Sequence, residues 1–396
     1  MFFSFGNSSW EALFNDFTFL YFLSSTLNYL FLVLILVLLI KSHFIPKEYF
    51  IFFALYLLSP MFINFVLFPP SYMPDQYVYV NEVNSLRAGN AEFGINFDLD
   101  TLKRFRVQAA AIIYSLIPLP SFLGINAIAF ANKFLVLILA CFLFSRIGTR
   151  YTLIFLLVPS LILYSSVSLR ETLIVTFTIF GLLLIIEKRF LLSLVFLAVI
   201  TILKFQNLPS LIFIWSSMLL YKYLNNYLAL AIPILIFSLF FFLFQDFLIT
   251  QLFFYKTAFM LESGVNSEDL LTTEVNTLQE FIASPPSTLA FIQSLIISFI
   301  MSLIRPIPYE LSLFTLLSFT ENIILFIFIF FFIKTAFEEK TNVIPILIFI
   351  LGSSIALSIH GYTIFNDGTF SRYKFGVIFP LLVSMYYLVS LKKNNS

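Results

Sequence analysis

The chain has 396 residues, 60% of them hydrophobic and 11% charged, with a formal net charge of +1. A soluble domain carries about 25% charged and about 45–50% apolar residues, so a soluble globular fold is excluded. Mean hydropathy is +1.00, and apolar runs of span length recur from end to end, as in a polytopic helical membrane protein. A transmembrane β-barrel would alternate over strands of ~10 residues, and Leu30–Ile40 does not.

In chain order, spans are expected over 17–40, 49–69, 121–145, 151–168, 170–186, 189–203, 206–221, 226–247, 311–333, 343–359 and 374–390. Two further apolar stretches, 107–119 and 288–304, read as short or re-entrant helices. The expected fold is therefore all-α, a single transmembrane domain over 1–396 with two long polar loops at 70–106 and 248–287. The first cation is Lys41, after the first apolar run. That run is expected to be an uncleaved span, because a signal peptide opens on a basic segment.

Lys and Arg in the short loops set the orientation. Lys41, Lys47, Arg146, Arg150, Lys188, Arg189, Lys222, Lys334, Lys340, Lys392 and Lys393 fall on one side, facing four acids. This side is expected in the cytoplasm, with the N-terminus and both long loops outside and the C-terminus inside. Ten cations and sixteen acids then lie outside, and Lys133 and Glu321 lie within spans. The same map makes 288–304 enter and leave on one face, which is tolerated where protein or water covers the backbone.

The scarce polar groups exclude several chemistries. One cysteine, Cys141, and two histidines, His43 and His360, cannot build a disulfide, an Fe–S cluster or a Cys/His-rich metal site. No G-x-x-x-x-G-K or G-x-G-x-x-G string occurs, so an ATP- or NAD-driven enzyme is not expected. No cofactor, no metal and no nucleic acid is called for. Asp98 and Asp100 form a D-x-D string, which in a polar loop reads as a solvated acidic pair.

The charges at the outer boundary carry the functional reading. Arg170, Arg305 and Arg372 each sit beside a tight connection, with Lys204 and Lys374 near them in the pattern. An ionisable group in a span is functional by default, since insertion costs ~2.5–3.5 kcal/mol. A guanidinium is permanently charged and its fork suits phosphate or carboxylate, so convergent arginines point to a diphosphate head group. Plainer readings stand beside this one. Lys374 could snorkel to the interface, and Lys133 could pair with Glu321. The tyrosines around these charges, Tyr77, Tyr309 and Tyr373 among them, suit sugar rings but are also ordinary at membrane interfaces.

Four strings resemble bacterial oligosaccharide repeat-unit polymerases, the Wzy-type and EpsG-like enzymes of O-antigen, capsule and exopolysaccharide assembly. Pro159-Ser160 followed by Ser168-Leu-Arg170-Glu171 is similar to their P-S…L-R-E/D segment. Arg305-Pro-Ile-Pro-Tyr309-Glu310, followed by Glu321-Asn322, is similar to R-P-x-P-x-E. Gly368-Thr-Phe-Ser-Arg372-Tyr373 is similar to G-T-x-x-R-Y, and Pro74-Asp75-Gln-Tyr77 to a first-loop D-x-Y.

The resemblance implies a GT-C-like architecture in the bacterial inner membrane and a glycosyltransferase without cofactor. Its substrates would be polyprenyl-diphosphate-linked oligosaccharides joined on the extracytoplasmic face, and a chain-length regulator is a possible partner. It implies catalytic roles for Asp75, Arg170, Arg305 and Arg372. Substrate contacts fall to Tyr77, Glu171, Lys204, Tyr309, Glu310, His360, Tyr373 and Lys374. Asp75 is the first choice of general base, with Glu171, Glu310 and His360 as rivals. Two other functions stay open at this point: a transferase using polyprenyl-phosphate sugars, and a lipid-linked oligosaccharide flippase or other transporter.

Overall fold

The computed structural model of the chain describes residues 18–67, 73, 75–89, 99–224, 226–262, 285–306, 313–339, 343–364 and 367–393. Every regular element among them is helical. Among the described residues, five helices are long and apolar enough to cross a membrane, over Phe19–Lys41, Ala127–Ile147, Leu228–Thr257, Val343–Thr363 and Ser371–Leu391. Shorter apolar helices lie at Glu171–Ile186, Phe190–Leu203, Thr288–Ile304 and Phe319–Phe332. The chain is a helical membrane protein by length and composition. It divides into two compact units, Met1–Thr176 and Phe177–Ser396.

In the first unit, α1 (Thr18–Lys41) packs on α2 (Phe50–Phe62) and on α5 (Ala127–Ile147). Helix α2 ends in a π-helical turn, Ile63–Leu67. The region 70–106, expected as a polar loop, contains α3 (Asp75–Arg87) and the first half of α4 (Leu99–Ser115). These two helices pack on each other. Residues 121–126, expected within a span, precede α5 and are held by polar side chains instead. Asn28 donates to the Ser121 carbonyl at 2.8 Å and accepts from its N–H at 3.1 Å, and Ser24 donates to the Leu123 carbonyl at 2.8 Å. Gly148, at φ 77°, ends α5 in a backbone region that side chains with a Cβ disfavour.

The expected span 151–168 is corrected to two short helices, α6 (Thr149–Leu156) and α7 (Pro159–Ser165). The cause is Pro159. Its ring disfavours helical backbone in the preceding residue, and Val158 is extended at ψ 123°. Proline is then well placed as the first residue of the new helix.

The second unit takes up the chain within α8 (Glu171–Ile186), followed by α9 (Phe190–Leu203), α10 (Leu208–Leu224) and α11 (Leu228–Glu262). Helix α11 carries the chain well into the expected loop 248–287. After it come α12 (Thr288–Ile304), α13 (Leu313–Glu339), α14 (Val343–Thr363) and α15 (Asp367–Lys393). Helix α14 is the centre of packing, touching α10, α11, α12 and α15. Only 17% of the spanning window of α11 is buried, against 78% of that of α15. Helix α11 is therefore peripheral, offering Leu235 and Phe242 outward, and α15 is interior. Helix α15 begins before the expected 374, so Arg372, Tyr373 and Lys374 lie within a helix rather than ahead of one.

Candidate functional site

In the first unit, the candidate residues gather at the turn between α7 and α8. A buried turn must have its backbone groups bonded, and here side chains from several helices do so. Asn132 on α5 donates from Nδ2 to the carbonyls of Val167 at 2.9 Å and Leu169 at 2.8 Å. The Tyr114 hydroxyl of α4 lies 2.9 Å from the Leu169 carbonyl and 2.7 Å from Asn132 Oδ1. Gln76 on α3 accepts from the Ser168 N–H at 2.8 Å. Ser168 Oγ accepts from the Ala129 N–H at 3.1 Å and donates to the Ile125 carbonyl. Ser59 and Ser166 share a hydrogen bond of 2.7 Å between their hydroxyls.

The bonded turn fixes Arg170 and Glu171. The Arg170 carbonyl accepts from the Ile174 N–H at 3.0 Å, opening α8. Arg170 is 9% exposed, and its guanidinium lies 5.9 Å from the ring centre of Tyr79 on α3. Glu171, 2% exposed, lies in the first turn of α8, where a carboxylate complements the helix dipole. Helix α3 turns Gln76 inward and leaves Asp75 exposed and Tyr77 half-buried. Asp75 thus sits one residue from the side chain that grips Ser168.

Lys133 is fully buried in the same unit. It donates to Ser165 Oγ at 2.7 Å and lies 4.0 Å from the ring centre of Tyr56. Among the described residues, these neighbours rather than an acid account for its burial.

In the second unit, Tyr373 is the hub of a second cluster. The Lys204 ammonium, 2% exposed, lies 3.2 Å from its ring centre. The His360 ring stands 5.2 Å away at 44°, and the Arg372 guanidinium 5.7 Å away. A buried cation over an aromatic face is worth up to about 2 kcal/mol, and that is how a lysine is kept here. His360, fully buried on α14, meets Asn207 Oδ1 at 2.8 Å through Nε2. With an amide oxygen as acceptor, Nε2 is the donor in this contact. Lys256 on α11 adds a further cation, 4.8 Å from the ring centre of Tyr362.

Lys374 is 6% exposed, so it does not snorkel to an interface. It donates to the carbonyls of Leu303 at 3.2 Å and Arg305 at 3.3 Å. The last carbonyls of a helix have no partner within it, and Lys374 supplies one at the end of α12. Asn322 on α13 donates to the same Arg305 carbonyl at 2.7 Å. The Arg305 backbone is thereby tied to α13 and α15. Tyr309 and Glu310 lie outside the described residues.

The second cluster thus holds Lys204, Arg372 and His360 around Tyr373, and Lys374, next in sequence, binds the Arg305 carbonyl at the end of α12. Such a cationic, aromatic-lined arrangement can bind an anion and the ring of an attached sugar. No group of three or more His, Cys, Asp or Glu that could hold a metal occurs among the described residues. Charge counting did not single out Gln76, Tyr114, Asn132, Asn207 or Lys256. The available signal was uncharged: Asn132 stands in an apolar run, where an amide must find a partner. No protein-family model matches the chain, and no curated protein or solved structure matches it either.

Proposed function

We propose that this protein is a polysaccharide polymerase, a glycosyltransferase that joins polyprenyl-diphosphate-linked oligosaccharide repeat units on the extracytoplasmic face of the membrane. The observation that carries the reading is the cluster around Tyr373, where Lys204 and Arg372 lie near one ring and Lys374 follows on the same helix. In the reaction, the bond from the sugar anomeric carbon to the diphosphate breaks. A new bond forms to a hydroxyl of the acceptor unit, and the hydroxyl proton passes to a base. Negative charge builds on the departing lipid diphosphate. Preplaced cations away from bulk water stabilise that charge without having to reorganise.

On this reading Arg305 and Arg372 bind diphosphate, helped by Lys204 and Lys374, and Arg170 serves a diphosphate from the first unit. Asp75, exposed at the start of α3, is the proposed base, with Tyr77 and Tyr373 against sugar rings. On the same reading the chain has about eleven spans and one or two re-entrant or short helices in a GT-C-like arrangement, with the N-terminus outside and the C-terminus inside. Arg305→Lys and Arg372→Lys test the assignment, because lysine cannot reproduce a bidentate fork. Both variants should lose most polymer when glycan is resolved by electrophoresis. Polymer of wild-type length in both would overturn it.

A further inference from the structure

At one end of the second unit, a cavity of about 300 Å³ lies among the last turns of α8, α10 and α15 and the first turns of α9 and α14. Its walls include Ile186, Met218 and Leu388, each buried. Its polar lining is Tyr221 with two exposed lysines, Lys188 and Lys222. No carboxylate lines it among the described residues. Glu187, next in sequence, is turned to Arg189 at 3.6 Å and to the Tyr387 hydroxyl at 3.3 Å.

Two facts set this cavity apart from ordinary helix-end charge. Lysines at helix C-termini offset the negative end of the dipole, which would explain the charges but not the apolar hollow between them. Lys188 also adopts φ 63°, a left-handed backbone normally left to glycine or asparagine. A lysine accepted there places an ammonium at the mouth of the cavity.

The cavity is also remote from the Tyr373 cluster. Arg372 and Leu388 are both on α15, sixteen residues apart, which is roughly 24 Å along a helix. Ligand pockets begin at ~300 Å³, so the space suits a head group and the first carbons of a chain, not an oligosaccharide.

We propose that this cavity binds the phosphate head group of an anionic phospholipid, with Lys188 and Lys222 on the phosphate and the acyl chain against Ile186, Met218 and Leu388. Basic pockets between membrane helices recognise anionic head groups in this way.

The test uses the full chain purified in nonionic detergent, with retained lipid measured by native mass spectrometry. Phosphatidylglycerol should be retained over phosphatidylcholine. Lys188→Gln with Lys222→Gln should weaken phosphatidylglycerol retention about 30-fold, and each single change about fivefold. Lys188→Arg with Lys222→Arg should keep it. The single variants serve if the double variant does not fold. Equal retention of the two lipids by the wild-type chain, or unchanged retention in the glutamine variants, would overturn the proposal. So would displacement of phosphatidylglycerol by millimolar inorganic phosphate with equal stabilisation by phosphate alone, which would make the site one for free phosphate.

Discussion

Asn132→Leu is the sharpest perturbation of the turn that carries Arg170. Leucine has the same number and branching of side-chain heavy atoms, so the change removes hydrogen bonds rather than opening a cavity. Two are lost outright, those to the Val167 and Leu169 carbonyls, while the single Tyr114 hydroxyl proton, shared between Asn132 Oδ1 and the Leu169 carbonyl, passes wholly to the carbonyl. The groups left behind are not all orphaned. The Val167 carbonyl still accepts from the Leu169 N–H at 2.9 Å, and the Leu169 carbonyl keeps Tyr114. The loss is therefore net hydrogen-bond energy without a desolvation penalty on top. At about 1 kcal/mol per bond in soluble proteins, or about 0.6 kcal/mol between membrane helices, it comes to about 1–2 kcal/mol. That is roughly 5- to 30-fold in the folding equilibrium. Unfolding of the purified protein in mixed micelles, as the fraction of denaturing detergent is raised, would measure it. Glycan from cells carrying the variant should be shortened as well, because Arg170 and Glu171 follow directly on the loosened turn. A stability change under about 0.5 kcal/mol would refute the view that side chains hold this turn.

Other substitutions probe other parts of the structure. A Cβ at Gly361 would lie 2.6 Å from the Ser298 backbone oxygen, whereas one at Gly376 would meet nothing within 4 Å. Gly361→Ala should therefore cost about 1–3 kcal/mol by overpacking α12 against α14, and Gly376→Ala should be neutral or slightly stabilising in a thermal melt. Lys133→Met should leave stability unchanged or raise it, since an apolar replacement avoids burying a charge. Ser165→Ala, which strips the buried ammonium of its acceptor, should lower the melting temperature. Tyr373→Phe keeps the ring under Lys204 and should retain polymer, while Tyr373→Leu should lose it; equal ladders from the two would count against the ring's role. Asp75→Asn should slow polymer formation about 10²–10⁴-fold if Asp75 is the base, far beyond the effect of the about 0.3–1 kcal/mol that a first-turn charge contributes to helix stability.

Helical membrane character was legible because composition alone decides it. Helix boundaries were less so. Helix α3, with its run Asp75-Gln-Tyr-Val-Tyr-Val-Asn-Glu, is too polar to register as a span and so read as loop, although Asp75 in its first turn and Arg87 in its last are the charges a helix dipole favours. The break at Val158–Pro159 was present in the sequence as a proline rule, but the apolar residues on both sides concealed it. Among the candidate residues, Lys204, His360 and Tyr373 come together about one ring, and nothing in their sequence spacing would bring them there. Their meeting depends on α14 packing against α15 and on the Phe205–Asn207 turn reaching α14. The amide members of both clusters escaped a reading based on charge, since an amide such as Asn132 or Asn207 declares its importance only through the carbonyl or imidazole it meets.

The polymerase reading meets its most direct test in the cell that makes the protein. With the chain deleted, surface glycan should collapse from a ladder of lengths to single repeat units, and these should lie outside the membrane. An unchanged ladder would contradict the reading, and repeat units trapped inside the membrane would replace it with transport.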